Sequence, residues 1–179
     1  VIFTSDPGEL LGDHGLYLKG PFFYEPAIRV PLIVAGPGVR SGARCPALVE
    51  LADLAPTLLE AAGLERHPGM QARSLWPLLT GRASLGQHRE DVYCEYYNAL
   101  TSHRDPTAQA TMVRDDRFKL VVMHGLDKGE LYDLENDPKE THNLWDVPGA
   151  QRIKLSMYQR LCDRMAWTVD PLPEREGPW

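Results

Sequence analysis

The chain has 179 residues, of which 43% are hydrophobic and 25% are charged, and this composition is typical of a soluble globular fold with a sizeable core. Its 19 Lys and Arg residues against 25 Asp and Glu residues give a formal net charge of −6, which argues against nucleic acid or an anionic membrane surface as a partner. No apolar run is long enough to span a bilayer, and the three cysteines have neither zinc nor disulfide spacing.

The first part of the chain, to about residue 85, predicts an α/β segment. The apolar runs at residues 1–4 and 29–35 are continuous, which predicts strands buried on both faces of a helix-covered, mostly parallel sheet. A helix is predicted over residues 49–62, where Asp53 charges or caps the first turn and the glycine that follows ends the helix. One apolar stripe on this helix comprises Leu51, Leu54, Ala55, Leu58, Leu59 and Ala62.

The second part, residues 86–179, predicts a small α+β subdomain. Alternating and aromatic-rich patterns predict an antiparallel meander of about four strands. The strands cover residues 90–97, 111–114, 117–123 and 129–134. A helix is predicted over residues 151–167, and its apolar residues recur at helical spacing along one face. The tail from residue 170 onward is rich in proline and is predicted to run extended over the surface.

Three polar residues near the first strand are candidates for chemistry. Asp6 follows that strand, and a carboxylate at a strand end suits a hard divalent cation. Lys19 lies thirteen residues further on, where its ammonium can return to the same pocket and hold an anionic oxygen. His14 lies between them and can give a proton or a hydrogen bond to an ester oxygen. Taken singly, the alternatives are a plain turn at residues 5–8 and two surface side chains.

Longer motifs change this interpretation. The stretch VIFTSDPGELLGDHGLYLKGPFFYEPAIRVPLIVAGPGV closely resembles the region of sulfatases in which a strand ends in T-S-D-H-G-E or T-S-D-N-G, a G-D-H-G loop follows, and a lysine comes thirteen residues after the aspartate. DLAPTLLEAAG resembles the family helix written D-L-x-P-T-L-L-x-x-A-G. RDDRFKLVV and GELYDLENDPKETHNL resemble the family's C-terminal sheet and the loop after it. The resemblance runs in order over nearly the whole chain.

The resemblance implies an alkaline-phosphatase-like α/β fold with a smaller C-terminal subdomain. It implies hydrolysis of sulfate monoesters, of small molecules or carbohydrates, at a divalent metal by a formylglycine made from cysteine or serine. Calcium is the usual metal, with Mn²⁺ or Zn²⁺ as alternatives. Transferred by position, Asp6 is a metal ligand, Lys19 contacts the sulfate, and His14 is an accessory group. Cations held around the leaving oxygen would stabilise the negative charge that ester cleavage builds there.

Two departures from the family pattern bear on activity. Pro7 stands where the family has His or Asn, and proline offers neither a side-chain ligand atom nor a backbone N–H. The maturation motif C/S-x-P/A-x-R is absent: none of the three cysteines is followed by it, and the stretch that begins at Ser5 has Glu9 in the arginine position. We therefore expect a C-terminal portion of a longer protein, inactive alone, with the nucleophile and the other metal ligands upstream. Oligomeric state and compartment (cytoplasmic, periplasmic or secreted) stay open.

Three functions are compatible with the sequence. A sulfatase-family hydrolase ranks first, and a phosphonate monoester or phosphodiester hydrolase on the same scaffold is the nearest alternative. The third is a non-catalytic, sulfatase-like module in which Pro7 reflects lost metal affinity. The first two depend on one expectation, that Asp6 and Lys19 converge on a common pocket for a cation and an oxyanion.

Overall fold

The computed structural model describes residues 1–97 and 108–169, which form six strands, four α-helices and short 3₁₀ turns. The strands are β1 (Ile2–Thr4), β2 (Leu32–Val34), β3 (Val92–Tyr97), β4 (Gln109–Arg114), β5 (Phe118–Met123) and β6 (Lys128–Asp133). The helices are α1 (Glu25–Ile28), α2 (Leu54–Ala61), α3 (Trp76–Leu79) and α4 (Gln151–Trp167). Among these described helices none has the length and apolarity to cross a membrane. The predicted extended tail lies outside the described residues.

The predicted antiparallel meander is confirmed. Strands β3 to β6 form one sheet in chain order, and every neighbouring pair is antiparallel. Helix α4 covers one face of this sheet with the bounds that the sequence predicted, and Met157 and Leu161 are buried there. Their partners in this core are Val113, Leu120, Leu131, Trp145 and Ala150. The 3.6-residue spacing of the apolar positions on α4 is the reason that this face packs on the sheet.

Gly129 packs directly against the indole ring of Trp145. A methyl group at this position would overlap the indole ring and the carbonyl oxygen of Val121. We expect Gly129→Ala to lower the free energy of unfolding by about 1–3 kcal/mol, because a packed core resists an added methyl group. Urea denaturation followed by circular dichroism measures the change. Gly149→Ala is the matched control, since a methyl group there meets open space. Equal stabilities for the two variants would contradict the overlap.

Strands β1 and β2 differ from the sequence prediction in two respects. They pair with each other antiparallel, with Phe3 opposite Ile33, although continuous apolar runs favoured parallel neighbours. Phe3 and Ile33 are 60% and 61% exposed in this chain, so no described element covers that face of the two strands. The physical reason is that apolarity reports what a strand face prefers, whereas burial requires another element to cover it.

Helix α2 confirms the predicted helix and its end before Gly63, although the α-helix begins at Leu54 rather than at residue 49, and it buries a polar face. A 3₁₀ turn precedes the helix, Asp53 completes a capping box with Glu50, and Gly63 follows with a φ of 71°. Leu58, in the predicted apolar stripe, is 54% exposed, whereas Asp53 is fully buried. The buried hydroxyl of Thr57 donates to the Asp53 carbonyl and accepts the Leu75 amide at 2.7 Å. Hydrogen bonds to distant loops therefore decide which face is buried.

Candidate active site

The loop between Asp6 and Lys19 folds back on itself. Asp6 follows β1 by two residues, and the chain then reaches Leu10, which is almost fully buried. The amide of Leu10 donates to the carbonyl oxygen of Leu18 at 3.1 Å. This bond returns the chain to the start of the loop immediately before Lys19. This bond closes the loop between residues 10 and 18, and the convergence of Asp6 and Lys19 stays a prediction.

Asp6 and Lys19 are both exposed and available for a ligand. Within residues 1–97 and 108–169, the Asp6 carboxylate and the Lys19 ammonium make no hydrogen bond or ion pair. Lys19 borders a cavity of about 1210 Å³ together with Pro7, the neighbour of Asp6. Asp6 itself and His14 are not among the residues that line it. Lys19 and the Pro7 turn thus meet at one cavity, while the roles of the three candidate residues stay predictions.

The turn that carries Asp6 is fixed against α1. The Asp6–Pro7 peptide bond is cis, and the next residue, Gly8, donates its amide to the carbonyl oxygen of Ala27 at 2.8 Å. A side chain on Gly8 would overlap the carbonyl oxygen of Pro26, so only glycine allows this approach. The position of Asp6 consequently depends on α1.

His14 contacts Tyr24, the residue that immediately precedes α1. It occupies the 3₁₀ turn Asp13–Gly15 with a φ of 55°, and its ring stacks on that of Tyr24. The two ring centroids are 3.7 Å apart and the ring planes differ by 8°. The Tyr24 hydroxyl in turn donates to Glu130 Oε1 in β6 at 3.0 Å. A residue of the C-terminal sheet therefore supports the loop through Tyr24.

Burial shifts the pKa of both partners in this contact. It raises the pKa of Tyr24 to about 12, and the Glu130 carboxylate adds to the shift. Burial also raises the pKa of Glu130, with Glu140 adding to the shift and the Tyr24 hydrogen bond opposing it. The phenol of Tyr24 consequently keeps its proton at neutral pH and remains a donor.

A buried ion cluster beneath the loop was missed from the sequence. The Lys119 ammonium, with no exposed surface, donates to the Phe23 carbonyl oxygen at 2.9 Å and to Glu140 Oε1 at 2.7 Å. Its third partner is Glu25 Oε1 at 2.8 Å. The other Glu140 oxygen accepts the Glu25 amide at 2.7 Å. The cluster thus holds the main chain on both sides of Tyr24.

The signal for this cluster was a charged residue inside an apolar strand. Lys119 stands in the run FKLVV of β5, where Leu120 and Val121 are fully buried, and a buried ammonium needs anionic partners. Although burial pushes the pKa of Glu25 upward, Lys119 and Arg114 together hold it below its ordinary value. The identity of the partners, Glu25 and Glu140, followed from no local pattern.

A second buried cluster joins α2 to the C-terminal part of the chain. The Asp53 carboxylate accepts the amides of Glu50 and Arg73, each at 2.9 Å, and pairs with the Arg89 guanidinium. Glu50 pairs with Arg89 at 2.8 Å and with Arg164 of α4 at 2.6 Å. The two clusters together tie the site-bearing segment to the meander and α4. The predicted domain boundary near residue 85 remains a prediction.

The imidazole of His88 makes this second cluster sensitive to pH. Burial and Arg89 lower the pKa of His88 below its ordinary 6.5, and Asp53 opposes the shift only in part. In acid, the unfolded chain takes up this proton before the folded chain does. We therefore expect the free energy of unfolding to fall below about pH 6.5, by up to about 1.4 kcal/mol per pH unit from this residue.

Urea denaturation between pH 5 and pH 7.5 measures this effect. His88→Asn should flatten the pH dependence relative to the parent chain, because the asparagine cannot take up a proton. His142→Asn is the matched control, since the His142 side chain is 82% exposed, and it should keep the parent slope. Parallel pH curves for the parent chain and His88→Asn would contradict the assignment.

The described residues do not form a metal centre by themselves. Within residues 1–97 and 108–169, no group of three or more His, Cys, Asp and Glu side chains is placed to hold a metal ion. Asp6 offers one exposed carboxylate without a partner among these residues. The donor set in this part of the structure therefore falls short of what a divalent cation requires.

Solved structures with this fold define a class of hydrolases. A protein in complex with its substrate D-glucosamine-2-N,6-O-disulfate matches 93% of this chain and 34% of its own, with a TM-score of 0.81 and 30% identity. A phosphonate monoester hydrolase from Silicibacter pomeroyi matches 94% of this chain and 35% of its own, with a TM-score of 0.82 and 28% identity. The fold is thus that of the C-terminal portion of sulfatases and phosphonate monoester hydrolases.

Sequence relatives identify the family within this class. The model for the C-terminal region of N-sulphoglucosamine sulphohydrolase matches residues 12–166. An N-acetylglucosamine-6-O-sulfatase from Bacteroides thetaiotaomicron is 33% identical over 98% of this chain and 32% of its own length. A choline-sulfatase from Rhizobium meliloti is 37% identical over 83% of this chain and 27% of its own length. The chain belongs to the sulfatase family, and it spans about a third of the length of these relatives.

Proposed function

We propose that the full-length protein, meaning the polypeptide that carries this chain together with the rest of a sulfatase, hydrolyses sulfate monoesters. The observation that carries the proposal is the Lys19 ammonium. It is exposed, lacks a partner among the described residues, and is held at the edge of a cavity by the closure of its loop. The similarity to named sulfatases over nearly the whole chain supports the reaction class.

Lys19 binds the sulfate group in this proposal. An ammonium beside a sulfate oxygen attracts the charge already present and stabilises the charge that develops as the ester bond breaks. His14 acts as an accessory group that gives a proton or a hydrogen bond to the leaving oxygen. Because its ring nitrogens make no hydrogen bond among the described residues, they are available for this role.

Asp6 is proposed as one ligand of a divalent metal, with Ca²⁺ first and Mn²⁺ or Zn²⁺ as alternatives. A bound cation would supply electrostatic stabilisation of the sulfate oxygens. The described residues contain no complete ligand set, so the remaining ligands are assigned to the rest of the protein. The formylglycine nucleophile is assigned to the rest of the protein, because this sequence has no maturation motif.

The substrate class that we favour is a sulfated sugar. This choice rests on two relatives, the N-acetylglucosamine-6-O-sulfatase and the protein solved with D-glucosamine-2-N,6-O-disulfate. A phosphonate monoester is the second candidate, because phosphonate monoester hydrolases from two organisms match this chain with TM-scores of 0.79 and 0.82.

A substrate panel on the purified full-length protein tests the proposal. The panel compares an aryl sulfate, glucosamine 6-sulfate and an aryl phosphonate monoester at equal concentrations, with Ca²⁺ added. We expect the highest kcat/KM for a sulfate ester. A higher value for the phosphonate would transfer the assignment to the second candidate. Loss of all three activities, together with no Ca²⁺ binding by calorimetry, would support the non-catalytic module instead.

A further inference from the structure

Tyr24 connects the candidate active-site loop to the C-terminal sheet. One face of its ring carries the His14 imidazole in a nearly parallel stack, and the Tyr132 ring contacts it at 6.3 Å between centroids with a tilt of 52°. Its hydroxyl reaches Glu130, whose second carboxylate oxygen is buried without a partner among the described residues. The ring of Tyr24 is therefore held at its hydroxyl end and supported by a strand residue.

The backbone of Tyr24 is held as firmly as its ring. The peptide before it presents the Phe23 carbonyl to the buried Lys119 ammonium, and the peptide after it presents the Glu25 amide to the buried Glu140 carboxylate. The Lys119 and Glu140 side chains are 0% and 1% exposed and pair with each other. Water cannot readily compete with these bonds, so the backbone at Tyr24 is fixed relative to the sheet.

His14, by contrast, lies in an exposed turn and has few restraints of its own. Within residues 1–97 and 108–169 its ring makes no hydrogen bond, and the stack on Tyr24 is its ring contact. Parallel stacking restrains the plane of the imidazole and leaves the ring edge, where both nitrogens lie, open to a ligand. A rigid tyrosine thus sets the orientation of a solvent-exposed imidazole.

We propose that Tyr24 is a positioning residue that orients the His14 imidazole for its contact with the bound ester. The inference rests on the proposed function, in which His14 serves as the accessory acid. A catalytic group that rotates freely spends little time in the reactive geometry, and a misplacement of about 1 Å can cost about a hundredfold in rate. Anchoring Tyr24 to Lys119, Glu130 and Glu140 makes the C-terminal sheet the reference for that geometry.

A double-mutant cycle on the full-length protein tests the proposal with a sulfate ester as substrate. Tyr24→Leu removes the stack, and we expect kcat to fall by about tenfold to a hundredfold. KM should stay within about threefold of the parent value, because Lys19 still binds the sulfate. In the His14→Ala background, Tyr24→Leu should cause no further loss of kcat, since coupled residues are non-additive. Tyr97→Leu, at a half-exposed strand position, is the control and should leave kcat unchanged.

Tyr24→Phe keeps the ring and loses only the bond to Glu130, so we expect a loss of about threefold in kcat. If Tyr24→Leu does not fold, the same cycle is measured with Tyr24→Phe. Losses at Tyr24 and His14 that simply add, or a parent kcat in Tyr24→Leu, overturn the positioning role while the parent enzyme remains active. An inactive parent enzyme instead overturns the proposed function and this inference with it.

Discussion

Lys19→Ala in the full-length protein should lower kcat/KM for a sulfate ester by about a hundredfold to a thousandfold. This is the range observed when a preorganised donor to a developing oxyanion is removed. The Lys19 side chain is exposed and makes no ion pair with any described residue, so its loss should not change the stability of the fold. Steady-state kinetics with an aryl sulfate, together with thermal unfolding, separates the two effects.

Lys128→Ala is the matched control for Lys19, because Lys128 is also exposed and lies at the start of β6. It should retain the parent kcat/KM. Lys19→Arg keeps the positive charge but changes the geometry of the donors, so we expect only partial activity. Parent-like kinetics in Lys19→Ala would show that Lys19 does not bind the sulfate. The role assigned to it from its position in the family motif would then be wrong.

Asp53→Ala should lower the free energy of unfolding by about 3–5 kcal/mol, the range expected when one partner of a buried ion pair is removed. Its carboxylate is fully buried, accepts two backbone amides and pairs with Arg89. Truncation leaves a buried guanidinium facing Glu50 alone and removes the acceptors of both amides. Urea denaturation of the chain, followed by circular dichroism, measures the loss.

Asp53→Asn keeps one acceptor oxygen without the charge and should recover part of that stability. Asp146→Ala is the matched control, because Asp146 is exposed and makes no hydrogen bond with any described residue. Its effect should stay within about 0.5 kcal/mol. An equal effect of Asp53→Ala and Asp146→Ala would show that the Asp53 cluster contributes nothing net to folding.

The sequence predicted the local elements well, because their causes are local. The order of the meander, the bounds of α4 and the stop at Gly63 follow from spacing, turn residues and glycine geometry. The differences between prediction and structure concern what covers an element. Phe3 and Ile33 are apolar yet exposed, and Asp53 is charged yet buried, since distant segments decide both outcomes.

The sequence likewise predicted one part of the candidate site, the loop, and not the residues that support it. The loop with Asp6, His14 and Lys19 stands out as a linear motif, because its residues are close in sequence. The support beneath that loop does not, since Lys119 contacts residues 96 positions earlier and 21 positions later. Its one visible sign was a lysine among buried apolar neighbours. Long-range ion pairs leave no periodic pattern for a single sequence to reveal.

The buried ion cluster that holds the Tyr24 backbone has a consequence for chimeric enzymes built from members of the family. The Phe23 carbonyl and the Glu25 amide interlock with Lys119 and Glu140, which lie about a hundred residues downstream. A crossover placed between residues 25 and 119 would combine the loop of one parent with the Lys119 and Glu140 side chains of another. Recombination libraries should therefore inherit residues 23–25 and 119–140 from the same parent, even where the intervening sequence is exchanged.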